Sequence, residues 1–323
     1  MLAIQINRTG GPDVLEAVDL PIPKPGRGEV LVRHHAIGLN FIDTYMRSGL
    51  YPVQLPAILG SEGAGVVEAV GEGVTRFKTG DRVAHGAAGR GAYCEYQALA
   101  ADRVSRLPDG VDFKTAAGAM LKGMTAEMLL RHCYPLKAGE ACLIWAASGG
   151  VGTILTQWAK AIGAVVIGCV GSEGKLELAR SHGCDHVILY KTEDVAARAR
   201  EITGGAGVRV SYDGVGKASF EASIKSLGRR GMLVTYGNAS GPVPPFEPLL
   251  LSRSGSLFLT RPTLFDYVAT ADELDASASA LFDVIQSGAV KIEIGREYAL
   301  RDARKAHEDL QAGETVGSQI LIP

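Results

Sequence analysis

The sequence predicts an α/β protein in which a doubly wound parallel sheet stands beside a second, mostly β region. Three observations carry that prediction. From residue 139 onward, apolar runs of strand length alternate with amphipathic helical runs, and strands joined by helical crossovers form parallel sheets. The turn "AASGGVG" (146–152) falls between the first of these strands and the first of these helices. Before residue 125 the chain instead shows short alternating runs set between Gly and Pro, the pattern of short strands and tight turns.

Taken in order, "EVLVRHHAIGLN" (29–40), "AGVVEAVGEGV" (64–74) and "DRVAHG" (81–86) have period-two patterning and read as strands. The stretch 107–133 turns helical, with Asp112 as N-cap and Thr125 capping a second helix ahead of Met128 and Leu129. "ACLIWA" (141–146) is the first strand of the parallel sheet. The helix after it, "TILTQWAKAIG" (153–163), sets Ile154, Leu155, Trp158 and Ile162 on one side. "AVVIGCV" (164–170), "HVILY" (186–190), "VRVSYD" (208–213), "GMLVTYG" (231–237) and "GSLFLT" (255–260) complete six strands, with "KLELARSHG" (175–183) as a crossover helix. Beyond "RPTL" (261–264) come helix, strand and helix, and "VGSQILIP" (316–323) reads as a strand returning to the N-terminal region.

Bulk properties narrow the function. At 323 residues the chain is long enough for two domains, and 46% apolar against 21% charged residues is globular composition. Thirty-three Lys and Arg nearly cancel thirty-five Asp and Glu, which removes the electrostatic case for nucleic acid or an anionic membrane as main partner. The opening "MLAIQINRTGGP" lacks the pattern of a signal peptide, and the longest apolar runs are strand-sized. Five cysteines, an odd and scattered set without a C-x-x-C pair, read as reduced thiols. The expectation is a soluble cytoplasmic protein.

The glycine turn is the most specific chemical signal. Set against G-x-G-x-x-G it reads Ala147-Ser148-Gly149-Gly150-Val151-Gly152, with alanine in the first glycine position. Gly149 lets backbone approach a pyrophosphate, Gly152 allows close packing of helix on strand, and the N–H groups at the helix start, around Gly150 and Val151, face the phosphates. An NAD site offers an acid at the end of the second strand. Here Val170 stands in that place, followed by Gly171 and Ser172, with Lys175 close by. An acid would repel a 2′-phosphate, so its absence favours NADPH, although Glu173 lies near.

Metal signals are weak. His34 and His35 are neighbours on a strand and point to opposite faces. "HGCDH" (182–186) spans a helix end at Gly183 and the start of the next strand, so it does not gather into one site.

"GEACLIWAASGGVGTILTQWAK" (139–160), including Gln157 and Lys160, resembles the quinone oxidoreductases, the zeta-crystallin-like, zinc-free branch of the medium-chain dehydrogenase/reductase superfamily. "GLNFIDTYMRSGLYP" (38–52), "LKGMTA" (121–126), "TYGNASGPV" (235–243) and "GSQILIP" (317–323) are similar to the bacterial NADPH:quinone reductases, and the likeness covers nearly the whole chain. It implies a GroES-like catalytic domain (1–125 and 265–323) interrupted by a Rossmann domain (126–264) that binds NADPH. It also implies a homodimer joined through the Rossmann domains around "SLFLT". Zinc relatives carry a metal-binding histidine where Ser61 stands beside Glu62, a cysteine near Asn40, and a four-cysteine lobe where this chain has only Cys94. A metal-free site is therefore expected.

The resemblance further implies Asn40, Tyr45 and Tyr51 as catalytic residues, since a quinone needs positioning and hydrogen bonds rather than a Lewis acid. Cofactor contacts are implied at Asn40, Asp43, Tyr45, Lys122, Thr125 and Gly149–Gly152. They are also implied at Gly171, Ser172, Lys175 and Tyr190 around the 2′-phosphate, at Tyr236, Gly237 and Asn238 near the nicotinamide, and at Thr260, Arg261 and Gly317. Asp43 is expected to hold its loop, and Glu62 to keep a structural role. NADPH-dependent reduction of activated C=C bonds in alkenals or enones is the competing enzyme reading. A non-catalytic NADPH-binding structural or RNA-binding protein is the reading of another class.

Overall fold

The computed structural model describes residues 1–323. The chain divides into two compact units, residues 1–124, 267–287 and 292–323 in the first and residues 125–266 and 288–291 in the second.

The first unit opens with β1 (Leu2–Ile6), β2 (Glu16–Asp19) and β3 (Glu29–Leu39), followed by helix α1 (Phe41–Ser48). Strands β4 (Ala57–Ile58), β5 (Glu62–Val70), β6 (Arg82–His85), β7 (Tyr96–Ala100) and β8 (Ser105–Arg106) lead to helix α2 (Phe113–Glu127). The eleven-residue β3 is buried along most of its length and is the spine of the larger sheet. Helix α1 ends at Gly49, whose φ of +86° is the left-handed conformation that glycine adopts at little cost.

Asp112 caps α2: one carboxylate oxygen accepts the Thr115 N–H (2.8 Å) and the other the Thr115 hydroxyl (2.8 Å). Thr125, expected to cap a second helix, lies inside α2 instead, and the helix continues through a π-type turn, Met128–Cys133. No Pro or Gly lies between Thr125 and Cys133, and the helical run stops only ahead of Pro135. The one glycine near it, Gly123, serves packing, because an added Cβ would lie 2.3 Å from Leu281.

The second unit is β9 (Ala141–Trp145), α3 (Gly150–Ile162), β10 (Val165–Val170), α4 (Leu176–Ser181), β11 (His186–Leu189), α5 (Val195–Ile202), β12 (Val208–Asp213), α6 (Phe220–Ser226), β13 (Leu227–Thr235), α7 (Leu249–Arg253), β14 (Phe258–Thr260) and α8 (Leu264–Tyr267). Its six strands are parallel in the order β11-β10-β9-β12-β13-β14. This is the doubly wound Rossmann arrangement, with the order reversing between β9 and β12. Ile154, Leu155 and Trp158 of α3 are buried and Ile162 is half-buried, the face read from its periodicity. The edge strand β14 leaves Phe258 53% exposed.

The chain then returns to the first unit through α9 (Ala271–Gln286), β15 (Ile294–Ala299), α10 (Ala303–Ala312) and β16 (Ser318–Ile322). Strand β16 lies between β15 and β3, parallel to the former and antiparallel to the latter. Leu321 joins Ile4, Ile6, Ile37, Leu39 and Leu59 in one core. Burial of each such side chain contributes about 1.5–3 kcal/mol, so the two ends of the sequence hold each other in place. No helix is long and apolar enough to cross a membrane.

Candidate active site

In the first unit the site is built around a buried carboxylate. Glu62 opens β5 opposite Gly38 of β3. A side chain at Gly38 is excluded, because its Cβ would lie 2.1 Å from the Glu62 carboxylate and 2.2 Å from the Ala117 carbonyl oxygen. Into that space Glu62 folds, fully buried. Its Oε1 accepts from the Asn40 side-chain amide (2.9 Å) and from the Lys122 ammonium. Its Oε2 accepts the Leu121 backbone N–H (2.6 Å). A carboxylate only accepts, so the Asn40 amide must present its NH2 to Glu62. Lys122, only 5% exposed, balances the charge, as a buried ion requires.

Asn40 also stands at the head of α1, where its backbone N–H donates to Asp43 Oδ2 (3.0 Å). Asp43 is fully buried. Its Oδ1 accepts the Ser61 hydroxyl (2.7 Å) and its Oδ2 the Tyr93 hydroxyl (3.0 Å). Burial raises the Asp43 carboxyl to about 6, against the pull of those hydrogen bonds. Tyr45 and Tyr51 stand edge to face with ring centres 5.4 Å apart, and the Tyr51 N–H donates to the Tyr45 carbonyl (3.1 Å).

In the second unit the site is made of backbone. Ala146 holds a left-handed φ of +54°, and the Gly149 N–H closes the turn on its carbonyl (2.8 Å). A Cβ at Gly152 would lie 2.1 Å from that same carbonyl oxygen, so helix α3 seats directly on the turn. Gly149 is the N-cap, and no side chain caps α3. The first N–H groups of the helix, at Gly150, Val151 and Gly152, are therefore those an anion would meet.

At the end of β10, Gly171 packs under Tyr190, since an added Cβ would lie 2.6 Å from the tyrosine hydroxyl. Tyr190 is 38% exposed, and its ring centre lies 5.8 Å from that of Trp145. Ser172 is exposed and Lys175 half-buried. Burial and the charge of Lys191 hold the Lys175 ammonium below its usual value. Lys191 is a second cation that sequence reading missed.

Tyr236, Gly237 and Asn238 follow β13 and rest on the loop after β12. The Tyr236 N–H donates to the Asp213 carbonyl (2.8 Å), and a Cβ at Gly237 would lie 2.4 Å from the Gly214 carbonyl oxygen. That loop is held by the Asp213 side chain, buried and accepting from the Val215 and Gly216 N–H groups and the Ser219 and Ser223 hydroxyls. Asp213 too went unread; an acid at a strand end followed by Gly and Ser was its signal. Thr260 ends β14, and Arg261 donates to the Thr235 carbonyl (3.2 Å). In the first unit Gly317 enters β16 with a φ of +59°. Thr125 lies half-buried within α2.

The structure contains no group of three or more His, Cys, Asp and Glu that could hold a metal ion. Ser61 is tied to Asp43, and Glu62 already has three donors. His34 and His35 diverge as expected, with His35 stacked on Phe113 at 4.5 Å. Unexpectedly, His34 Nε2 meets His85 Nε2 at 2.9 Å, while His34 Nδ1 donates to the Cys94 carbonyl (2.9 Å). The pair is buried and hydrogen-bonded to itself.

Residues 26–156 match the alcohol dehydrogenase GroES-like domain, and residues 150–281 match the zinc-binding dehydrogenase family. Quinone oxidoreductase of Pseudomonas aeruginosa is 52% identical over 321 residues, covering 99% of each chain. The 2-haloacrylate reductase of a Burkholderia species is 41% identical over 330 residues, covering 100% of this chain and 99% of that one. The structure of Escherichia coli quinone oxidoreductase complexed with NADPH superposes with a TM-score of 0.98 at 45% identity, covering 100% of both chains. With a GroES-like domain, a Rossmann domain and relatives matched over their full length, the chain belongs to the quinone oxidoreductase family of the medium-chain dehydrogenases/reductases.

Proposed function

We propose that the protein is a zinc-independent NADPH:quinone oxidoreductase that favours ortho-quinones. The observation that carries the reading is the turn at the head of α3, whose first N–H groups no side chain caps, with Lys175 and Lys191 near the end of β10 and no carboxylate at Val170. That turn suits a pyrophosphate and the cations suit a 2′-phosphate. It stands in a chain similar over its whole length to quinone oxidoreductases.

When bound, NADPH supplies the hydride. Gly149, Gly150, Val151 and Gly152 hold the pyrophosphate, and Gly171, Ser172, Lys175 and Tyr190 the 2′-phosphate. Tyr236, Gly237 and Asn238 hold the nicotinamide end, with Thr125, Thr260, Arg261 and Gly317 completing the contacts. Residues 126–264 form this nucleotide-binding domain; residues 1–125 and 265–323 form the catalytic one.

Asn40, with one N–H fixed on Glu62, offers its second N–H to the ligands. The Tyr45–Tyr51 pair gives a flat acceptor an aromatic wall and a hydroxyl. Asp43, with both oxygens bonded inside the protein, positions rather than contacts the cofactor. Lys122 likewise acts through Glu62. The saturated Glu62 and the hydroxyl at Ser61 support chemistry without a metal, in which negative charge on the reduced quinone is spread into its own ring.

The exposed Phe258 on edge strand β14 supports a homodimer joined there, and the five free cysteines support a reducing, cytoplasmic setting. The 41% identity to 2-haloacrylate reductase favours one second reading, reduction of an activated C=C bond by the same residues. The deciding experiment is NADPH oxidation with an ortho-quinone, with and without chelator and against NADH. Chelator-resistant turnover preferring NADPH is expected. Loss of activity with chelator overturns zinc independence, and turnover of an enone but no quinone moves the assignment to the second reading.

A further inference from the structure

Helix α1 carries two charged residues, Asp43 and Arg47, on the same buried face one turn apart, and the two do not pair. They are joined through side chains from distant parts of the first unit. Arg47 Nη1 lies 3.0 Å from His307 Nδ1, and Arg47 Nη2 donates to Gln311 (2.7 Å). His307 Nε2 lies 3.0 Å from the Tyr93 hydroxyl, which in turn lies 3.0 Å from Asp43 Oδ2.

Every proton in this chain has one possible place. Arginine only donates, so His307 Nδ1 accepts. Burial, and after it the Arg47 charge, push His307 down to about 3, so the ring is neutral and its one proton sits on Nε2. That N–H donates to the Tyr93 oxygen, leaving the tyrosine O–H to donate to Asp43. Asp43 then accepts the N–H of Asn40. Glu62 with Lys122 on one side, Ser61 on another, and Arg47 with His307 behind Tyr93 are the polar and charged groups facing it.

We infer that Tyr93 and His307 are positioning residues of the hydride-transfer site: with Arg47 they fix the Asp43 carboxylate, which fixes Asn40 and the first turn of α1. Neither residue reaches Asn40 itself. They act by removing the freedom of the one group that holds its backbone. The inference rests on the role of Asn40 proposed above, and its test separates the two.

The test uses the full chain as wild type, Tyr93→Phe, His307→Leu and His307→Gln. Two readouts are taken: amide hydrogen exchange across residues 38–48 without cofactor, and kcat and KM with NADPH and an ortho-quinone. Tyr93→Phe and His307→Leu are expected to speed exchange at the head of α1 by about tenfold while the second unit is unchanged. They are also expected to lower kcat by about tenfold with the KM for NADPH within about threefold. Glutamine keeps an N–H donor and an acceptor, so His307→Gln restores most of both effects.

Unchanged exchange at 38–48 in a folded variant overturns the inference, and so does equal loss in the leucine and glutamine variants. If His307→Leu does not fold, Tyr93→Phe, which deletes a single hydroxyl, decides. If the wild type turns over no quinone, the proposed function fails, while the exchange readout still decides this inference.

Discussion

The candidate functional regions of the two units, each taken by itself, are built on opposite principles. Around Glu62 and Asp43 the first unit packs charged and polar side chains out of water, and each satisfies the next. At the head of α3 the second unit leaves the first N–H groups of the helix without a side-chain cap, so the polar groups on offer are backbone. The first kind of site is intolerant because removing one partner strands another. The second is intolerant because there is no room to add an atom. The difference decides how each half should fail.

The largest effect is expected from adding atoms to the backbone half. Gly152→Val places a Cβ 2.1 Å from the Ala146 carbonyl oxygen, an atom that cannot swing aside. A loss of more than about 3 kcal/mol in urea unfolding is expected, with NADPH binding abolished in a fluorescence titration. Near-normal binding by this variant breaks the comparison at once.

Next comes removal of a partner from the polar half. Glu62→Gln leaves the Lys122 ammonium buried without its counter-charge and should cost about 3 kcal/mol. The double variant Glu62→Gln with Lys122→Met should recover part of that loss, because no charge is then stranded. Additive losses in the double-mutant cycle would show that the pair is not coupled.

The polar half should also respond to acid. Burial pushes His34 down to about 4, His307 to about 3 and His85 well below its ordinary value. Unfolded, all three take up protons near 6.5. Their folded values are depressed, so the stability they contribute is present above about pH 6.5 and drains as pH falls toward 4. Asp43 runs the other way: its folded value of about 6 lies above the ordinary 3.8, so it favours the fold in acid and opposes it above about 6. Three histidines outweigh one carboxyl, so melting temperature should fall between pH 6.5 and 4, less steeply in His34→Gln. A melting temperature that climbs over that interval refutes this account.

The smallest effect belongs to a cationic side chain that supplements the backbone half. Lys175→Ala should leave stability unchanged and weaken NADPH binding about tenfold, or about 1.4 kcal/mol, with NADH unaffected. Equal loss for both cofactors would place Lys175 away from the 2′-phosphate.

What the sequence disclosed follows the same division. The first four strands of the parallel sheet begin and end within a residue of their apolar runs, because a strand buried on both faces writes itself as continuous hydrophobicity. Strand β13, by contrast, starts four residues before its run, and the edge strand β14 keeps only the last three residues of its own. The glycine turn was legible because its constraint is local. A cap and a helix-interior threonine look alike until one asks what stops the helix, and at Thr125 nothing does before Pro135. Tyr93, His307 and the partnership of His34 with His85 were invisible, since each joins residues far apart along the chain. Only the spacing of Asp43 and Arg47, two charges on one face of an otherwise ordinary helix, hinted that something had to meet them.

The seat of β16 between β15 and β3 has a consequence for synthesis. All six strands of the Rossmann sheet leave the ribosome before residues 294–322 are made, so that unit can fold while the chain is still growing. The other unit must wait. Until β16 arrives, the stretch Ile37–Leu39 that leads into Asn40 lacks its neighbour, and the core beneath it lacks Leu300, Ala303 and Leu321. An unpaired strand edge of this kind is open to pairing with other chains. A nascent molecule therefore has its nucleotide domain first, and residues 294–322 are those that complete the unit holding Asn40.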